Sequence, residues 1–95
     1  MNPQPKKSIK LKPAAWKKLV AECFERDRYQ CETCKYIFPF EYLAPHHIIP
    51  KGRIRLDCAF NVATLCKSCH RALHDGNLDI SVDDLIKLHG LDGLL

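Results

Sequence analysis

"ATLCKSCHRALH", residues 63–74, places two cysteines and two histidines within nine positions, Cys66 to His74. Such a density of metal-ligating side chains constrains the fold more than any other stretch of this 95-residue chain. Three readings compete: one zinc site, a haem attachment of the form C-x-x-C-H, or ligands divided between two metals. Helix geometry weighs on the choice. If "KSCHRALHD" is helical, His70 and His74 stand at i and i+4 on one face, while Cys69 is turned about 100° from His70. One ion can hardly take all four, so two sites back to back are expected.

A second cysteine pair supports that division. Cys31 and Cys34, in "RDRYQCETCKYIF", form another C-x-x-C between aromatic residues, as in a zinc-knuckle hairpin, with 31 residues before Cys66. Two thiolates at this spacing bind one ion from a tight turn, and a second pair completes a tetrahedral site. The usual gap between such knuckles is about 15–20 residues, so an insertion lies between them. The expected structural zinc ligands are therefore Cys31, Cys34, Cys66 and Cys69. A haem reading would leave Cys31 and Cys34 without a role.

Bulk properties agree with a small stapled domain. A chain of this length sits near the lower limit of what a hydrophobic core stabilises unaided. No secretory pattern opens the sequence, and no run approaches the roughly 18 apolar residues of a membrane span. The expectation is a cytoplasmic protein without membrane contact, where paired cysteines serve metals more often than disulfides. The formal charge of +4 is unevenly spread: residues 1–30 carry eight Lys/Arg against three acids, residues 31–74 six against three, and residues 75–95 one against five. The basic part contains the presumed ligands, which fits a polyanionic partner such as nucleic acid.

Along the chain, residues 1–12 (MNPQPKKSIKLK) read as a flexible basic arm. Pro13 suits the first turn of a helix. Trp16, Leu19, Val20, Cys23 and Phe24 then form its apolar stripe, opposite Lys17, Lys18, Glu22 and Glu25. Cys23, within that stripe, is expected to be a core thiol. Pro39 and Pro45 are expected to break the next segment, and "HHII" (46–49) to form a strand ending at Pro50. Lys51-Gly52-Arg53 reads as a basic turn, and "CAFNVATLC" (58–66) as β-leaning. A last helix over about 81–89 starts at Ser81, with Asp84 placed as in a capping box, and ends by Gly90. Residues 13–95 are thus expected to form one domain, its motif core at about 28–75.

Four of the five histidines fall between positions 46 and 74. Neighbouring strand residues point to opposite sides, so His46 and His47 are expected to divide their work, one on metal and one in acid–base chemistry. Lys51, Arg53, Arg55, Lys67 and Arg71 surround these residues in sequence and could hold phosphates.

"HHIIP", then Asn61, then "LCKSCH", with "CETC" upstream, resembles the signature of the HNH endonucleases in their zinc-containing subgroup. The preceding "WKKLVAECFERDRYQC" is similar to the helix that leads into that motif, so the likeness covers about residues 14–75. It implies a small α+β domain of the ββα-metal (HNH, or His-Me finger) fold, with a four-cysteine zinc site and flanking helices. Position by position, it implies that His46 is the first catalytic-metal ligand, where an aspartate is common, and that His47 is the general base. Asn61 matches the middle residue of the catalytic motif, usually a group bracing the metal loop. His70 matches the final ligand, and His74 an additional ligand found in some members. The implied cofactors are structural Zn²⁺ and a catalytic Mg²⁺, Mn²⁺ or Ni²⁺. The implied activity is metal-dependent DNA endonuclease action of low sequence specificity, by a monomer or homodimer, in a small free-standing protein like those of phages. The competing reading is a non-catalytic zinc module that binds DNA or a protein.

Overall fold

The computed structural model describes residues 8–95. Helix α1 spans Pro13–Arg26, with proline in its first turn as φ restriction favours. Val20, Cys23 and Phe24 are its buried residues, and Trp16 and Leu19 are half-buried. After α1, Arg28 and Tyr29 take left-handed backbone (φ 56° and 59°), turning the chain into the first knuckle.

Strand β1, Leu43–His47, pairs antiparallel with β2, Val62–Cys66, in register His46↔Ala63 and Pro45↔Thr64. This two-stranded sheet corrects two sequence expectations. β1 starts earlier than "HHII" and ends at His47, and Pro45 lies inside it rather than breaking it. The register supplies the reason. The Thr64 carbonyl points away from β1 and accepts the Glu32 N–H at 2.9 Å, so the Pro45–Thr64 pair exchanges no ladder bond and the missing proline N–H costs nothing. Ile48 and Ile49, read as strand, instead enter the core fully buried.

Helix α2, Lys67–His74, follows β2 directly, its first turn capped by the Cys66 sulfur accepting from the Cys69 N–H. Helix α3, Val82–Leu88, begins with both halves of the Ser81/Asp84 capping box. Its Leu85 and Ile86 join Ile48, Ile49, Leu56, Leu65 and Leu73 in the main core. A smaller cluster of Val20, Phe24 and Leu43 seats α1 on the sheet. The Arg26 guanidinium fastens the end of α1 to the outer edge of β2, donating to the carbonyls of Ala59 and Val62 at 2.8 Å each. The result is an α+β arrangement consistent with a ββα-metal fold.

The segment expected as an arm is partly structural. Residues 1–7 lie outside the described residues. Ile9, however, donates to the Arg55 carbonyl and accepts from the Asp57 N–H, both at 2.8 Å, in a parallel bridge with Leu56. Backbone pairing of this kind is invisible in composition, where four lysines and two prolines read as solvated chain.

Asn61 closes the long connection between the strands. It is completely buried. Its Oδ1 accepts from Ile49 N–H at 2.8 Å, and its Nδ2 donates to Leu56 O at 3.0 Å. Asn61→Ala would strand both backbone groups without water. A loss of about 2–4 kcal/mol is expected, measured as a lower urea midpoint at saturating zinc. An unchanged midpoint would show that the loop does not depend on this amide.

Candidate active site

The cysteines and histidines sort into two clusters. The ligand atoms of Cys31, Cys34, Cys66 and Cys69 all lie within 4.8 Å of one another. A tetrahedral zinc with Zn–S near 2.3 Å spaces its sulfurs by roughly 3.8 Å, so the four are positioned to hold a metal such as zinc. The first knuckle presents Cys31 and Cys34 on a turn closed by Lys35 N–H to Cys31 O, with Lys35 at φ 68°. The second pair straddles the start of α2. Burial raises the Cys34, Cys66 and Cys69 thiols, and neighbouring sulfurs reinforce it. At Cys31 the upward push of burial is outweighed by bonds from the Thr33 hydroxyl and the amides of Cys34, Cys66 and Thr33, which hold it at about 6. Crowded thiols competing for negative charge are what a bound cation relieves. Cys23 and Cys58 remain outside the cluster.

His46, His70 and His74 form the second cluster, again with ligand atoms within 4.8 Å. β1 supplies His46 and one face of α2 supplies the other two. Nε2 of His70 and Nε2 of His74 are 3.1 Å apart. His46 is buried, and its Nε2 has no hydrogen-bond partner. An orphaned nitrogen in a low-dielectric site is costly unless something binds it, so the donor set fits a divalent ion. Burial first, then His70 and His74, pushes His46 down to about 4, and burial and His74 lower His70. Both rings are thereby kept neutral, as ligation requires. Among the described residues no carboxylate joins this cluster.

His47 diverges from His46, as strand alternation demands. Its ring stacks on Trp16 of α1, centroids 4.9 Å apart and planes 9° from parallel. Its Nε2 lies 2.8 Å from Asp57 Oδ1. Asp57 is buried and also accepts from Leu11 N–H at 2.9 Å and from Arg55 Nε at 3.1 and 3.2 Å. Burial alone would raise its carboxyl, but the bonds from Arg55, His47 and Leu11 outweigh that and hold it at about 2.

A cleft brings these groups together. It is lined by Trp16, His46, His47, His70 and His74, with Lys51 and Arg55 of the predicted basic set. Arg53, Lys67 and Arg71 do not line it; Arg53 instead approaches Asp83 at 3.4 Å. Asn61 lies beneath the loop, away from the cleft. Sequence reasoning missed Asp57 and the stacking role of Trp16. Asp57 carried no signal beyond being an acid in an otherwise basic loop, and Trp16 was absorbed into a helical stripe.

These features are consistent with a ββα-metal architecture, and residues 31–76 match the family model described as HNH endonuclease. It is also similar to the type IV methyl-directed restriction enzyme EcoKMcrA of Escherichia coli strain K12, 40% identical over 50 residues. That match covers 46% of this chain and 18% of the relative, so the chain spans under a fifth of that enzyme's length. No solved structure matches the chain. Among the described residues no helix is long and apolar enough to cross a membrane.

Proposed function

We propose that this protein is a metal-dependent DNA endonuclease in which His47 is the general base and His46, His70 and His74 hold the catalytic divalent ion. The carrying observation is one cleft that contains both a three-nitrogen ligand cluster and a separate imidazole held by a carboxylate. A binding module has no use for that pairing.

Phosphodiester hydrolysis needs an activated water in line with the departing 3′ oxygen, and positive charge to stabilise the transition state. When bound, the ion would supply charge beside the scissile phosphate and the departing oxygen. The chain's own groups do the rest. An ionised Asp57 only accepts hydrogen bonds, so His47 donates through Nε2 and keeps the lone pair on Nδ1. That nitrogen takes the proton of the attacking water as the phosphorus–O3′ bond breaks. Lys51 and Arg55 line the cleft with charge suited to phosphate oxygens rather than base edges, which supports cleavage of low sequence specificity. One three-histidine cluster among the described residues supports one strand cut per copy, hence nicking.

A ligand set of three imidazoles without carboxylate suits Ni²⁺ better than Mg²⁺. The test is relaxed-plasmid formation by zinc-loaded protein with added Mg²⁺, Mn²⁺ or Ni²⁺. Ni²⁺ is expected to support the fastest nicking and Mg²⁺ the slowest. Absence of nicking with all three, while DNA still binds, would mark a non-catalytic module.

A further inference from the structure

We infer that Asp57 is a positioning residue that selects the working tautomer of His47, and that the segment around Ile9 and Leu11 exists to hold Asp57 in place. The inference deepens the proposed function, resting on His47 as the base.

Two carboxylate oxygens receive three N–H groups: Oδ1 faces His47 Nε2, Oδ2 receives Leu11 N–H, and Arg55 Nε reaches both. The Leu11 amide and the arginine can only donate. The imidazole is the single member able to reverse its role, so the ionised Asp57 settles the choice and places the hydrogen on Nε2. Asp57 is itself clamped from both ends. Its side chain takes the Leu11 N–H, and its own N–H donates to the Ile9 carbonyl at 2.8 Å. Trp16, stacked flat on the ring, restricts rotation of the imidazole out of that plane. Carboxylate and indole reach His47 from positions far apart in sequence, the segment holds the carboxylate, and together they fix ring orientation and proton position.

Asparagine is the informative replacement because its shape is the same and its chemistry is not. With one acceptor left, the amide oxygen would face the obligate donors Leu11 and Arg55. Its NH₂ would then point at His47, forcing Nε2 to accept and the hydrogen onto Nδ1. The base would be present with its lone pair misdirected.

The experiment is two-bond ¹H–¹⁵N correlation of the histidine rings, in mildly alkaline buffer, on zinc-loaded protein with no other divalent ion, for wild type and Asp57→Asn. Wild-type His47 is expected as the Nε2–H tautomer, and Asp57→Asn as Nδ1–H. In plasmid nicking, kcat should fall about 10²–10⁴-fold in Asp57→Asn with KM nearly unchanged, while zinc content and circular dichroism match wild type. A wild-type ring in the Nδ1–H form would overturn the inference without any variant. So would an Asp57→Asn ring that stays Nε2–H with kcat intact. Should the wild type fail to cleave DNA, the proposed function fails, yet the ring spectra still decide whether Asp57 sets the tautomer.

Discussion

Cys66→Ser is expected to leave a largely unfolded or aggregated protein with substantially less than one zinc per chain. Cys66 is buried, closes the sulfur cluster with Cys31, Cys34 and Cys69, and caps α2 through its sulfur. A serine hydroxyl can still cap α2, so the substitution chiefly removes a zinc ligand. Binding energy at a structural zinc is folding energy, roughly 10–16 kcal/mol in small zinc domains. The whole stability of a domain is only about 5–15 kcal/mol. A core divided between a small cluster under α1 and a larger one under α3 cannot make up such a deficit. Elemental analysis and thermal melts check this, with Cys23→Ser and Cys58→Ser as controls that should keep zinc at wild-type stoichiometry. Retention of a cooperative melt by zinc-free Cys66→Ser would refute a structural metal.

His47→Ala is expected to reduce plasmid nicking about 10²–10⁴-fold, the usual consequence of removing a general base, with fold and zinc content preserved. His47 is largely shielded but outside both core clusters, and its ring touches Trp16 and Asp57 rather than the metal ligands. His70→Ala should cost as much by a different route, weakening the divalent site, so higher Ni²⁺ or Mn²⁺ should restore part of its activity and none of that of His47→Ala. His74→Ala should behave like His70→Ala, because its Nε2 lies beside that of His70. Wild-type nicking by His47→Ala, with contaminating nuclease excluded, would remove His47 from the mechanism.

The chain's chemistry was largely legible in one dimension. Doubled C-x-x-C spacing implied one four-sulfur site. The i, i+4 relation of His70 and His74, set against Cys69, implied that the histidines serve a different centre, and the structure separates the two groups that way. The stripe from Trp16 to Phe24 and the box at Ser81 and Asp84 marked α1 and α3. All of these signals are local, since ligand spacing, helical periodicity and capping are set by residues within a few positions of each other.

What the sequence did not carry is who meets whom across the fold. Pro45 read as a breaker because its missing N–H is costly in general; only the register with Thr64 shows that this nitrogen faces outward. Residues 1–12 read as a solvated arm for their four lysines and two prolines, yet backbone groups at Ile9 and Leu11 bond to Arg55 and Asp57 whatever their side chains are. His47 is braced by the Asp57 carboxylate, ten residues away, a pairing that no local spacing announces. Arg53 and Arg55, equivalent in sequence, part company because one meets Asp83 and the other Asp57. By itself, the sequence determined the kinds of group available and their local geometry. The tertiary structure alone decided which donor reaches which acceptor, because a hydrogen bond such as Leu11 to Asp57, spanning 46 residues, depends on how separate elements pack, and no short-range pattern encodes that approach.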